Sequence, residues 1–136
     1  MSPKNSELIQ QLREWDADNV ERESERISRT GEHFTPTALV EEILDKFPKN
    51  HFSDPNETVL DPCCGTGQIL SGVLIRKLAY GISHEQALST LYGVDIMYDN
   101  VKICQDRLLC GVEELRWIVE KNIVCADALT YDFSFE

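Results

Sequence analysis

The sequence predicts an α/β fold: about three parallel strands flanked by helices, preceded by a helical N-terminal extension. Two observations carry this. Short apolar runs at Thr58–Asp61, Leu91–Asp95 and Asn122–Cys125 alternate with longer stretches of helical periodicity, the pattern of βαβ units and a parallel sheet. Acidic residues stand at or just beyond the end of each run, Asp61, Asp95 and Asp127, and the first run leads into the turn Gly65-Thr66-Gly67. In an open parallel sheet, ligands lie outside these strand ends.

Taken in order, residues Ser6 to Arg29 are rich in Glu, Arg, Gln and Leu, with Leu8, Leu12 and Trp15 at helical spacing. They predict a surface helix, interrupted near Asp16–Asn19. Arg22, Arg26 and Arg29 share one helical face, but Glu21, Glu23 and Glu25 offset them; the pattern reads as a solvated face rather than a DNA contact. Residues 1–30 form this extension and 31–136 the main domain. Gly31 ends the helix, Thr35 is a candidate N-cap and Pro36 the first helical residue of the next. Leu39, Val40, Ile43, Leu44 and Phe47 make that helix's apolar stripe, Pro48 stops it, and Lys49–Glu57 is a loop. Helices are expected over Gln68–Tyr80, Glu85–Thr90 with Ser83 as cap, Asp99–Cys110 with Gly111 as stop, and a further turn or two within Glu113–Glu120.

Composition limits the function classes. The chain has 136 residues, 42% hydrophobic and 27% charged, enough for one domain with a modest core. No apolar run approaches the roughly 20 residues of a membrane helix. The start, MSPKNSELIQ, lacks the apolar segment of a secretion signal, so a cytoplasmic location is expected. A net charge of −11 repels phosphate, so DNA binding by the chain alone should be weak. Five cysteines without a CxxC pair fit neither a disulfide framework nor a zinc site. No metal is expected, and Cys104, Cys110 and Cys125 are expected to be buried reduced thiols.

The strand ends form one constellation. Glycine in the turn after Asp61 lets backbone approach a ligand closely, and the following helix N-terminus offers free N–H groups to a carboxylate. Asp95 is placed to accept hydrogen bonds from ribose hydroxyls. Asp127 could meet an exocyclic amine of adenine while Ala128 leaves room for the ring. The loop has Gln68-Ile69-Leu70 where a dinucleotide fold would place a third glycine.

The runs Gly31-Glu32-His33-Phe34-Thr35-Pro36, DPCCGTGQIL from Asp61 to Leu70, Tyr92-Gly93-Val94-Asp95-Ile96 and Cys125-Ala126-Asp127-Ala128-Leu129 together resemble the adenine-specific DNA methyltransferases. The forms in which a Phe-Thr-Pro motif precedes the glycine loop, such as type I restriction modification subunits, are the nearest in pattern. The resemblance implies a Rossmann-like class I methyltransferase core and S-adenosylmethionine as cofactor. It assigns Phe34, Thr35 and Pro36 to a segment folded over the methionine part. Asp61, Pro62, Cys63, Gly65, Thr66 and Gly67 line the amino-acid end, Asp95 and Ile96 hold the ribose and flank the adenine, and Asp127 and Ala128 complete the adenine side. Cys63 and Cys64 replace smaller residues more usual there.

One motif of that family is missing. Its catalytic loop is Asp or Asn, then Pro-Pro, then an aromatic, which accepts hydrogen bonds from the target amine and stacks on the flipped base. The five prolines here, Pro3, Pro36, Pro48, Pro55 and Pro62, include no pair, and Asp54-Pro55-Asn56 reads as a turn. Three readings therefore stand: a methyltransferase part completed by a partner, a catalytically inactive cofactor-binding regulator or anti-restriction protein of the kind phages encode, and an interaction protein that keeps only the fold. The expected strand order 3-2-1 leaves Thr58–Asp61 at a sheet edge, and such edges recruit another strand unless covered. A homodimer or protein partner over that edge is expected, with fold-back of Tyr131–Phe135 as the alternative.

Overall fold

The computed structural model describes residues 2–15 and 36–135. The interruption near Asp16–Asn19, the Arg22–Arg26–Arg29 face, the Gly31 break, Phe34 and Thr35 lie outside the described residues. The elements are α1 (3–15), α2 (Thr37–Asp45), β1 (Val59–Asp61), α3 (Gln68–Ala79), α4 (His84–Ser89), β2 (Leu91–Asp95), α5 (Tyr98–Leu109), a 3-10 turn (Glu113–Leu115), α6 (Arg116–Asn122) and β3 (Ile123–Cys125). The three strands are parallel in the order β1-β2-β3, with Val59 opposite Leu91 and Gly93 opposite Ile123. The fold is the truncated Rossmann-like core that the alternation predicts, and β1 lies at an edge.

Side chains alternate across a strand. Val59, Leu91 and Ile123 face the helices and join one core with Leu70, Val73, Leu74 and Leu78 of α3, Leu108 and Leu109 of α5, and Ile118 and Val119 of α6. Each fully buried leucine there contributes roughly 1.5–3 kcal/mol. α1 belongs to the same core through Leu8, Ile9 and Leu12. Asn5 of α1 donates from Nδ2 to the Leu78 and Ile82 carbonyls at 2.9 and 3.0 Å, tying α1 to the last turn of α3 and the chain that follows it. α2 packs with Val40 and Leu44 over Gly72 of α3, and Arg76 ties it down by pairing with Glu41 and Asp45 at 2.7 and 2.8 Å. Ser83 caps α4 as its sequence position predicts, its Oγ accepting from the Gln86 amide at 3.2 Å.

Four expectations change in three dimensions. α2 starts at Thr37, with Pro36 in the cap position, where its carbonyl accepts from Val40 N–H at 3.0 Å. Leu39 and Phe47 remain exposed, because α2 meets the core by the Val40–Leu44 row alone. Cys125 is exposed while Cys104 and Cys110 are buried; it pairs with Asp95 at the open C-terminal end of the sheet, beyond the reach of the helices. The tail Tyr131–Phe135 folds back, but over the face of the sheet opposite the helices rather than along the β1 edge. Phe135 packs on Tyr92 of the central strand with ring centroids 4.8 Å apart, and a groove of about 440 Å³ between Thr58, Leu60, Tyr92, Lys121 and Phe133 lies beside it.

Lys77 is the largest surprise of the core. Its side chain is fully buried, and its ammonium donates to the Glu57 and Asp54 carbonyls at 2.9 and 3.5 Å. It thereby fastens the 49–57 loop beneath α3, and burial holds its pKa below the usual lysine value. Asp54 closes a turn by accepting from the Asn56 amide at 2.9 Å, in keeping with the reading of Asp54-Pro55-Asn56 as a turn.

Candidate functional site

The glycine loop is built from short-range bonds and then pinned from outside. Asp61 ends β1, and its Oδ1 accepts from the Cys63 amide at 3.1 Å, which turns the chain. Cys64 N–H donates to the Val94 carbonyl at 2.9 Å, holding the loop to β2, and Gly67 N–H returns to the Cys64 carbonyl at 2.9 Å. Gly67 has φ +94°, a left-handed conformation that strains any residue with a Cβ. From there α3 begins, its first N–H groups without helical partners. Gly93 on β2 lies directly under the loop. A Cβ there would stand 2.9 Å from Leu70 Cδ1 and 3.0 Å from Cys64 Cβ and Sγ.

Asp95 couples this loop to the second strand end. Its Oδ2 accepts from Gly65 N–H at 3.0 Å, and its Oδ1 accepts from Met97 N–H at 2.8 Å and Asn100 Nδ2 at 3.3 Å. A carboxylate has roughly four acceptor positions, so the Oδ2 side keeps capacity for a further donor such as a hydroxyl. Asp61 is near enough for Asp95's charge to act on it. Burial pushes the Asp61 carboxyl above the usual carboxylate range, the Cys63 amide pulls it down, and Asp95 raises it further. Two carboxylates in one partly desolvated site favour a cationic group between or beside them.

The other predicted residues fall into place unevenly. Pro62 and Cys63 are exposed on the outer side of the loop, and Gly65 is half-buried. The Cys63 thiol is pushed up by desolvation and by Asp95 and Asp61, so it stays protonated. Cys64 lies inside, its thiol pushed up by a hydrogen bond with Cys104 and by burial. Thr66 is buried; its hydroxyl accepts from Gln68 Nε2 at 2.8 Å. Ile96 is 67% exposed just past Asp95, free to cover a flat ring. Ala126 N–H donates to the Asp95 carbonyl at 3.0 Å, bringing the third strand end alongside the second. Asp127 is exposed, with its Oδ1 accepting from Leu129 N–H at 2.9 Å, and Ala128 is half-buried beside it. Pro36 is exposed at the head of α2.

Three residues that sequence reasoning missed support the loop from α5. Asn100, Cys104 and Arg107 follow one another at i, i+4 and i+7, one face of a helix. Asn100 holds Asp95, Cys104 lies under Gly67, where a Cβ would stand 2.9 Å from its Sγ, and Arg107 donates to the Thr66 carbonyl at 3.0 Å. A polar side chain recurring on the buried stripe of α5 was the available signal.

Donor set and loop fit S-adenosylmethionine. Paired acids suit its ammonium and sulfonium charges, Cβ-free turns leave room at the backbone, and an acidic acceptor with spare capacity suits a ribose hydroxyl. Comparison with known proteins gives the family. The family model for N-6 DNA Methylase matches residues 20–134. The chain is 32% identical over 112 residues to the "Type II methyltransferase M.VspI" of Vibrio sp. (strain 343), covering 80% of this chain and 23% of that relative. It thus spans less than a quarter of the relative's length. No solved structure matches it. Among the described residues no helix is long and apolar enough to cross a membrane. With the family model matching most of its length, the chain belongs to the N-6 DNA methylase family.

Proposed function

We propose that this chain binds S-adenosylmethionine at the C-terminal ends of its strands, as the cofactor-binding part of an adenine-N6 DNA methyltransferase. The observation that carries the reading is the bond from Gly65 N–H to Asp95, which joins the glycine loop and the ribose-side acid into one site with Asp61. Asp61 meets the methionyl ammonium, the loop and α3 N–H groups its carboxylate, Asp95 the ribose, and Ile96, Asp127 and Ala128 the adenine. The family resemblance assigns Phe34, Thr35 and Pro36 to the methionine end. When bound, the cofactor supplies an electrophilic methyl group. Within these 136 residues no Pro-Pro-aromatic loop is present to orient an adenine amine toward it, so this part supplies the cofactor site and not the base-orienting loop.

Calorimetry of the purified protein with S-adenosylmethionine and S-adenosylhomocysteine tests the binding. Affinity too weak to detect at millimolar ligand would sink the reading. The isolated chain should transfer no radiolabelled methyl group to DNA; incorporation abolished by Asp95→Ala would show that a catalytic loop has been overlooked. The second reading is an inactive cofactor-binding regulator. Methyl transfer that appears when a partner bearing the Pro-Pro loop is added separates the two.

Asp61 gives the site a pH signature. Its pKa is raised in the folded protein above the usual 3.8, so the folded state holds that proton more tightly than the unfolded chain does. The stability it contributes is present at low pH and is lost as pH rises through the raised value. Binding of an ammonium favours the ionised form, so ligand affinity should run the other way, falling as pH drops through the raised Asp61 value. Proton release on binding, read from calorimetry in two buffers of different ionisation enthalpy, should vanish in Asp61→Asn.

A further inference from the structure

Arg107 is a charged residue with almost no exposure, 5%, on a helix that also buries Val101, Leu108 and Leu109. Burying a guanidinium is costly unless its donors and its flat faces are used. Here Nη1 donates to the Thr66 carbonyl at 3.0 Å, in the middle of the glycine turn, and the plane stacks on the Trp15 ring with Cζ 4.1 Å from the ring centroid. Trp15 is the last described residue of α1 and is only half-buried. Its helix is anchored at the other end by Asn5 and along its length by Leu8, Ile9 and Leu12. The loop that meets the ligand is therefore gripped on its far side by a side chain whose own position depends on the N-terminal helix.

We propose that Trp15 and Arg107 form a clamp that sets the Gly65-Thr66-Gly67 turn for the cofactor, making α1 a working part of the binding site rather than an appendage. This rests on the S-adenosylmethionine reading above. The two contacts form a row: the indole fixes the guanidinium plane by cation–π stacking, and the guanidinium fixes the Thr66 carbonyl and with it the peptide between Thr66 and Gly67 at the start of α3. Arg107 and Trp15 are positioning residues, acting through the loop. Lysine would retain the charge of Arg107 but neither its flat face nor its fork of donors.

The clamp can be watched through Trp15, because the sequence holds two tryptophans and the other, Trp117, is 60% exposed on α6. In a Trp117→Phe background, S-adenosylhomocysteine should shift the Trp15 emission, and Arg107→Met should abolish the shift. Arg107→Met, Arg107→Lys and Trp15→Leu should each weaken binding about tenfold or more, the order expected from losing one charge-assisted hydrogen bond. Trp15→Phe should recover most of the loss. A double substitution at both positions should cost no more than the larger single one. In the ligand-free protein, amide hydrogen exchange at Gly65–Gly67 should quicken in Arg107→Met.

Normal affinity in Trp15→Leu and Arg107→Met, with loop exchange unchanged, overturns the clamp while leaving cofactor binding intact. Equal, additive losses without rescue by phenylalanine also overturn it, since they report general loosening of the fold. Failure of the unsubstituted protein to bind overturns the cofactor reading, and the clamp's role in binding with it. The exchange measurement reports the grip on the loop separately.

Discussion

Asp95→Ala is expected to weaken S-adenosylhomocysteine binding by about 1.5–3 kcal/mol, the range for a hydrogen bond to a charged group, and to destabilise the ligand-free protein as well. The second effect follows from the contacts already in place. Gly65 N–H, Met97 N–H and Asn100 Nδ2 all donate to this carboxylate, and the residue is buried. Removing the acceptor strands three donors, each costing on the order of 1 kcal/mol if water does not replace it. Asp95→Asn separates the two effects. It keeps one acceptor oxygen but turns an amine toward a donor, so binding and loop order should both suffer with little change in volume. Calorimetry with thermal denaturation on the same samples checks this. Unchanged affinity in a folded Asp95→Ala protein would remove Asp95 from the ribose site.

Gly93→Ala should cost about 1–3 kcal/mol of stability by overpacking, and Gly93→Val more. A Cβ at this position meets Leu70 Cδ1 at 2.9 Å and Cys64 Cβ and Sγ at 3.0 Å. Leu70 has no exposure and Cys64 has 3%, so neither has room to retreat. Leu70 can change rotamer only against the rest of the core. Cys64 Cβ is fixed to the loop backbone, which is bonded to Val94 at 2.9 Å. The methyl group should therefore push the glycine loop away from β2, strain the Cys64–Val94 hydrogen bond and weaken ligand binding. Leu70→Val in the same chain should recover part of the stability. Chemical denaturation of the three variants would measure this, and a Gly93→Ala protein as stable as the parent would show that the loop yields more easily than its bonds suggest.

Local chemistry made the strands and helices legible. Alternating apolar runs, Ser83 before α4, and Gly111 after α5 each act within a few residues, where period and cap geometry are written directly in the chain. The edge position of β1 and the acids at the strand ends also followed from topology rules that need only element order. Exposure of Cys125 was not legible, because an apolar strand reads the same whether or not a helix covers its last residue. The tail showed a similar limit. Fold-back of its aromatics over the β1 edge was only the alternative to a partner there, and the packing on Tyr92 places the tail on the sheet face instead.

By itself, the sequence determined the parallel α/β architecture, the glycine turn and the acids at the strand ends, since each depends on neighbours close in the chain or on the repeat of one element. The tertiary structure alone decided what holds that turn in shape. Arg107 reaches Thr66 across 41 residues, and Lys77 pins the preceding 49–57 loop by reaching the Glu57 carbonyl 20 residues away. A buried charge is stable only where folding happens to deliver its acceptors, and no local pattern in the chain announces which carbonyls those will be.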